Sequence, residues 1–286
     1  MRSNPRFEEL LKQEVIKEIK WAIEEDFGTA GDVTSNAVVG PGVEISAEIL
    51  VKSAGVIAGL AVARQTFTYL NSDVVFTPLA EDGDRVEAGR RIATVSGDAL
   101  ALLGGERTAL NFLQHLSGIA TSVARYKEEL EGFSVELLDT RKTTPGLRYL
   151  EKYAAKVGGA VNHRLGLFDQ VLIKDNHIKI AGDIKEAVRR ARASYPALKV
   201  EVEAETIAEV KAALEAGADI ILLDNMDIDL LKESVETIRG RAVTEASGGI
   251  TLTNIAAVAA TGVDRISVGA MTQAAKPLDI SMEIIG

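Results

Sequence analysis

The sequence predicts an α/β protein in two parts: a segment mixing helix and strand to about Leu116, then a parallel α/β barrel. Three observations point there. From Val135, short apolar runs alternate with helical stretches, the pattern of parallel strands with helices outside. Seven such runs fall within about 150 residues, which fits a barrel, complete or incomplete, better than an open sheet. Before Leu116 that alternation is absent, and strand-like segments follow one another through glycine turns. A chain of 286 residues can bury the core of one barrel or of two domains.

Along the chain, residues 6–25 read as an amphipathic, charged helix rather than a signal peptide. In "VEISAEILV", Val43, Ile45, Ala47, Ile49 and Val51 recur at every second position, a half-buried strand. "EDGDRVEAGRRIATV" reads as turn, short strand, glycine turn, strand. Strong helix formers then run from about Glu106 to Glu131. The barrel strands are expected in "VELLDTR", "GAVNHR", "QVLIKDN", "KVEVEAE", "DIILLDN", "AVTEASGG" and "RISVGA". After the first, Thr144 can cap a helix with Pro145 in its first turn. Leu147, Leu150, Ala154 and Val157 share one face of it, and Gly158 and Gly159 stop it. Arg148, Lys152 and Lys156 recur every four residues there and read as a solvated face. Thr206 and Glu209 make a capping-box pattern ahead of Val210 and Leu214, and Gly217 ends that helix. The terminal "LDISMEII" alternates again, as one more strand expected to rejoin the first part.

The composition narrows the chemistry. The chain has no cysteine, which excludes disulfides, thiolate catalysis and Cys-ligated metal. A net charge of −10 argues against a general nucleic-acid surface, which needs a broad basic face. No apolar run reaches the roughly 18 residues of a membrane span, and "GVIAGLAVA" is far short of it. A cytoplasmic protein with neither nucleic acid nor membrane as partner is expected. Against the acidic total, residues 139–179 hold eight Lys/Arg and four Asp/Glu, a balance of +4 beside −14 for the rest. A positive island in an acidic chain suggests a compact anionic ligand.

Parallel α/β barrels carry their sites at the carboxyl ends of the strands. Those ends offer Thr140, Arg141 and Lys142, then His163 and Arg164, then Lys174. Glu203 and Asp224 follow, and last Ser247-Gly248-Gly249 and Gly269-Ala270. Arginine supplies a planar fork for carboxylate or phosphate, and lysine a compact charge. Two acids facing a cavity can hold Mg²⁺, directly or through water, or bond sugar hydroxyls. Glycines let backbone N–H groups approach a phosphate, and "SGGITLTN" then opens a helix whose amino end favours anions. A phosphorylated sugar, a metal and a second anionic substrate fit this set. Glu203 alternates with Val200 and Val202, and Glu201 is the alternative inward residue if the register slips by one. His115 and His177 read as structural or supporting residues. There is no GxxxxGK[ST] and no GxGxxG after a strand, so P-loop and Rossmann sites are poor fits.

Several stretches together resemble the quinolinate phosphoribosyltransferase family along essentially the whole chain. They are "EEDFGTAGDVTS", "GERTALNFLQHLSGIAT", "LLDTRKTTPGLRYLEKYAAKVGGAVNHRLGLFDQVLIKDNHI", "VEVE", "ILLDN" and "EASGGITLTNI…GVDRISVGA". The resemblance implies an N-terminal α/β sandwich, residues 1–116 joined by 277–286, and an open seven-stranded α/β barrel, residues 117–276. It implies a homodimer, or a larger even-numbered assembly, with shared active sites, in which Arg107 of "GERTALN" enters the partner's site. It implies that Thr140, Arg141, His163, Arg164 and Lys174 line a pyridine dicarboxylate pocket. Lys142, Glu203, Asp224, Ser247, Gly248, Gly249, Val268, Gly269 and Ala270 would surround phosphoribosyl pyrophosphate and Mg²⁺, with Glu203 and Asp224 as metal ligands. Lys142, Lys174, Glu203 and Asp224 would carry the catalysis. The family often has histidine after "GA-L-T"; here "GAMTQ" places Gln273, to which no such role is given.

The implied reaction joins quinolinate to phosphoribosyl pyrophosphate and releases pyrophosphate and carbon dioxide. Two alternatives remain on the residues alone. One is a homologue acting on nicotinate or another ring acid, which would need fewer cations. The other is a carrier, because "EDGDRVEAGRRI" looks like the hairpin of biotinyl and lipoyl domains. Those domains carry the cofactor on a nearby lysine, and none occurs between Lys52 and Lys127.

Overall fold

The computed structural model describes residues 5–285, with side chains from Gln13. The chain falls into two compact units. One holds the chain to Ala124, Thr143–Gly159 and the residues from Ala274 onward. The other holds Arg125–Lys142 and Ala160–Gln273.

The first unit contains helices α1 (Pro5–Phe27), α2 (Val33–Val38), α3 (Leu60–Leu70), α4 (Ala99–Glu128) as far as Ala124, and α5 (Arg148–Val157). Its strands are β1 (Glu44–Val51), β2 (Gly55–Val56), β3 (Val75–Pro78), β4 (Arg85–Val86), β5 (Arg91–Asp98) and the last strand of the chain, β12 (Ile280–Ile285). An antiparallel sheet runs β12-β1-β5-β3, and β2 and β4 pair separately. The alternation in β1 buries Ala47, Ile49 and Val51 against Phe67, Ile92, Val95, Leu102, Leu110 and Leu113. Full burial of side chains this size contributes about 1.5–3 kcal/mol each.

Two expectations for α5 are corrected. The helix starts at Arg148, not at Thr144, because Gly146 takes φ +89, and the Thr144 N–H instead donates to the Glu151 carboxylate. Nor is its Arg148–Lys152–Lys156 row a solvated face: Lys152 is fully buried and the other two are half-buried. The inward face of α5 is wide, taking in Leu150, Glu151, Lys152, Ala154 and Ala155, because the helix lies against α1 and its end meets α4. At that end a Cβ on Gly158 would come within 2.5 Å of the Ala120 carbonyl oxygen. The stem of a lysine is apolar and can fill such a position. His115 is supporting, with Nε2 at 2.9 Å from the buried Glu151 carboxylate.

In the second unit, strands β6 (Glu136–Leu138), β7 (Val171–Ile173), β8 (Val200–Ala204), β9 (Ile220–Asp224), β10 (Val243–Ser247) and β11 (Arg265–Ser267) alternate with helices. The helices are α6 (Asp175–Ala181), α7 (Ile184–Ser194), α8 (Ile207–Glu215), α9 (Ile228–Ile238), α10 (Ile255–Ala259) and α11 (Ala270–Gln273). The parallel sheet runs β6-β11-β10-β9-β8-β7. The second expected strand, "GAVNHR", makes one bridge, Val161 to Leu138, at the far edge of β6. The next residues turn away: Asp139 accepts the His163 N–H at 2.8 Å and the Asn162 side-chain amide at 2.7 Å. This is an α/β barrel of six strands and a seventh position at Val161, open between Val161 and β7, as the resemblance implies. The Thr206–Glu209 capping box forms as expected, and Gly217 follows α8 with φ +80. No helix of the described residues is long and apolar enough to cross a membrane.

Candidate active site

Because the strands are parallel, the residues after them gather at one edge of the sheet. Register fixes which of them face the same way. Glu203 pairs with Leu222 and Leu222 with Glu245, while Asp224 pairs with Ser247 one step further toward the carboxyl ends. Glu201 and Glu203 stand two residues apart in β8, so they share a face. A slip of one residue would turn both outward together, and Glu201 is therefore a companion of Glu203, not its alternative. Both are buried, as is Glu245. That shared face is the barrel interior: His163, from the opposite edge of the sheet, reaches Glu201 on β8 and Glu245 on β10, both at 3.3 Å.

The cations come from the first strand ends. Arg141 is half-buried, and its Nε is fully enclosed with no hydrogen-bond partner among the described residues. Burial pushes the Arg164 guanidinium down from its ordinary value, the charge of Arg141 pushes it further, and Glu201 and Asp169 oppose both. Arg164 Nη1 donates to the Gln170 carbonyl at 3.3 Å. Lys142 is exposed and runs across Gly269, where a Cβ would meet its Cδ at 2.6 Å. Its carbonyl accepts the Thr272 hydroxyl at 2.7 Å, which ties the loop after β6 to the loop after β11. Its N–H donates to the Thr140 hydroxyl at 3.0 Å. Lys174 caps α6 and reaches Glu203 with Nζ–Oε2 of 2.5 Å. His177 is supporting, its Nδ1 accepting the Lys174 N–H at 2.9 Å.

The acids sit on the next two strands. Burial raises the Asp224 carboxyl above its ordinary value, and the nearby Glu203 charge raises it further, against Lys174. Gly248 has φ +92, and a Cβ there would stand 2.2 Å from the Asn225 side-chain oxygen and 2.9 Å from its backbone N. Only glycine fits this approach between the β9 and β10 ends. One expectation fails here: "SGG" does not open a helix directly. Thr251–Asn254 intervene as a turn, in which Asn254 accepts the Thr251 N–H and donates to the Gly249 carbonyl, and α10 is only five residues long. Val268 is buried after β11; Gly269 and Ala270 lead into α11, where Gln273 ends the turn exposed.

Beneath these groups lies a feature the sequence pattern did not single out. His163, Glu201 and Glu245 form a buried cluster. The two glutamates raise the imidazole to about 9 although burial works the other way, and burial together with Glu245 raises the Glu201 carboxyl. His163 Nδ1 accepts the Arg164 N–H at 2.7 Å, so the ring proton stands on Nε2, facing the two carboxylates. The only signal of Glu245 in the sequence is a lone acid inside the strand "AVTEAS". Asn162 and Gln170, which fasten neighbouring groups, left none.

In the first unit, Arg107 on α4 is exposed and makes no hydrogen bond or ion pair among the described residues. It lines a surface cleft of about 320 Å³ with Glu25, Asp26, Asn111 and His115.

The parallel strands of an α/β barrel thus bring forked cations, paired acids and glycine loops to their carboxyl ends. Residues 119–283 match the quinolinate phosphoribosyl transferase C-terminal domain, and residues 32–117 match the N-terminal domain. The chain belongs to the quinolinate phosphoribosyl transferase family. It is 45% identical over 261 residues to the probable nicotinate-nucleotide pyrophosphorylase (carboxylating) of Bacillus subtilis, covering 91% of this chain and 90% of that protein. NadC from Streptococcus pyogenes matches with a TM-score of 0.91 and 41% identity, over 95% of this chain and 96% of that one. The nicotinate-nucleotide pyrophosphorylase from Francisella tularensis matches with a TM-score of 0.92 and 37% identity, over 96% of each chain.

Proposed function

We infer that this protein transfers the phosphoribosyl group of phosphoribosyl pyrophosphate to quinolinate with decarboxylation. The products are nicotinate mononucleotide, pyrophosphate and carbon dioxide, on the de novo route to NAD. One observation carries the reading: Arg141 and Arg164 are both half-buried, burial and the nearby Arg141 charge lower the Arg164 guanidinium, and the Arg141 Nε donor is enclosed without a partner among the described residues. Two such charges need an anion, and the two adjacent carboxylates of quinolinate supply it. Thr140, His163 and Lys174 line the same pocket. Lys142, Ser247, Gly248, Gly249, Val268, Gly269 and Ala270 take the phosphoribosyl pyrophosphate side.

In the reaction the pyridine nitrogen attacks C1 of the ribose and the C1–O bond to pyrophosphate breaks with its electron pair. Lys142 and Lys174 stabilise the departing charge. Glu203 or Asp224 faces the positive sugar or its hydroxyls. The ribosylated nitrogen is then cationic, and the ring holds the pair left when the 2-carboxylate departs as carbon dioxide. That carbon takes a proton, and no nucleophilic side chain is needed. Positioning and partial desolvation suffice.

Glu203 and Asp224 suit Mg²⁺. Both offer hard oxygen donors, and the upward shift of Asp224 by Glu203 is the repulsion a cation relieves. Bound Mg²⁺ would neutralise pyrophosphate charge. The assembly we propose is a homodimer, or a larger even-numbered one, in the cytoplasm, with Arg107 completing the neighbour's site. Its side chain, exposed and without a partner among the described residues, supports this.

The decisive assay follows carbon dioxide from carboxyl-labelled quinolinate. Stoichiometric release with nicotinate mononucleotide, abolished by chelator and restored by Mg²⁺, is expected. Turnover of nicotinate without quinolinate turnover would overturn the reading in favour of a single-carboxylate substrate.

A further inference from the structure

We propose that Glu245, together with Glu201, is a positioning residue for the dicarboxylate clamp: the pair holds the His163 ring, and the ring and Gln170 hold Arg164. The inference rests on the transfer reaction inferred above. Glu245 is in the middle of β10 and 1% exposed, and Glu201 is in β8 and fully buried. The reaction described above uses neither. Burying two carboxylates is costly unless they are bonded, so the barrel retains them at some expense to stability.

Their contacts converge on one residue. His163 Nε2 stands 3.3 Å from Glu201 Oε2 and 3.3 Å from Glu245 Oε1. The other ring nitrogen accepts the Arg164 backbone N–H at 2.7 Å. On the other side, Glu201 Oε2 accepts the Gln170 side-chain amide at 2.5 Å, and the Gln170 carbonyl accepts Arg164 Nη1 at 3.3 Å. Arg164 is thus held at its main chain and at its guanidinium, and both holds lead back to the glutamates. The same three side chains could be taken for a metal site, since their donor atoms lie within 4.8 Å of one another. A metal would need the Nε2 lone pair. With Nδ1 already accepting an amide hydrogen, Nε2 carries the ring proton and points it at the glutamates. The cluster is held by two close polar contacts of 3.3 Å, with neither Glu245 oxygen completing a hydrogen bond among the described residues, and Glu245 acts on substrate only through His163 and Arg164.

The test is steady-state kinetics of the full-length protein carrying Glu245→Leu or Glu245→Gln. Leucine removes the carboxylate that stands 3.3 Å from His163 Nε2, so the KM for quinolinate is expected to rise about tenfold while the KM for phosphoribosyl pyrophosphate stays within about twofold. Glutamine keeps an acceptor oxygen and is expected to stay within about threefold of wild type for both substrates. Equal rises in both KM values would overturn the proposal. So would glutamine failing as badly as leucine, or leucine leaving both constants unchanged. If Glu245→Leu does not fold, Gln170→Ala must give the same quinolinate-selective rise, and its absence overturns the proposal equally. A wild type that releases no carbon dioxide from quinolinate would overturn the activity itself; an active wild type with substrate-blind variants overturns only the positioning role.

Discussion

Arg107→Ala is expected to lower turnover about 10³-fold or more with the assembly intact, the loss that follows when a buried charge partner is removed. Arg107 lies outside the barrel unit and is exposed on α4, so its substitution leaves the core of its own subunit undisturbed. Its role, as proposed, is exercised in the neighbour. Co-expression with Lys174→Ala therefore tests it. Random pairing gives mixed dimers in half the population, each with one site built from two intact parts, so about a quarter of the wild-type rate returns. Rescue absent from a verified mixed dimer would confine Arg107 to its own subunit and overturn the shared site.

The second large effect is expected from Arg141→Lys. The charge survives this change, but the fork and its enclosed Nε donor do not. The KM for quinolinate is expected to rise about 100-fold, or about 2.7 kcal/mol, while that for phosphoribosyl pyrophosphate moves less than about threefold. Parallel titrations of the two substrates read both constants. Equal losses would move Arg141 to the phosphate side of the site.

Much of this was legible in the sequence, for a reason specific to parallel barrels. Each strand ends where the site begins, so finding the strand finds the residue. Arg141, Lys174, Glu203 and Asp224 all emerge in this way. What stayed hidden depends on partners distant in the chain. Glu245 reads as an odd acid in a strand until His163 reaches it across the interior. Lys152 follows a solvated rhythm, yet it is fully buried. The helix expected from Glu106 starts at Ala99, because Gly104 and Gly105 do not break it. They make room for rings, with a Cβ at Gly104 only 2.8 Å from Phe27 and one at Gly105 3.0 Å from Phe67. Glycine reads as a breaker in sequence; here it is a packing residue. "GAVNHR" has the apolar content of a strand, but Asp139 draws its backbone away after one bridge.

The central claim is that forked cations from neighbouring strands receive a doubly negative ring. A crystal soaked with quinolinate and a non-reacting phosphoribosyl pyrophosphate analogue tests it most directly. The account predicts both ring carboxylates within hydrogen-bond distance of Arg141 and Arg164, with the pyridine nitrogen facing C1 of the ribose. Carboxylates seated elsewhere, with those two arginines bonded only to protein or water, would contradict it.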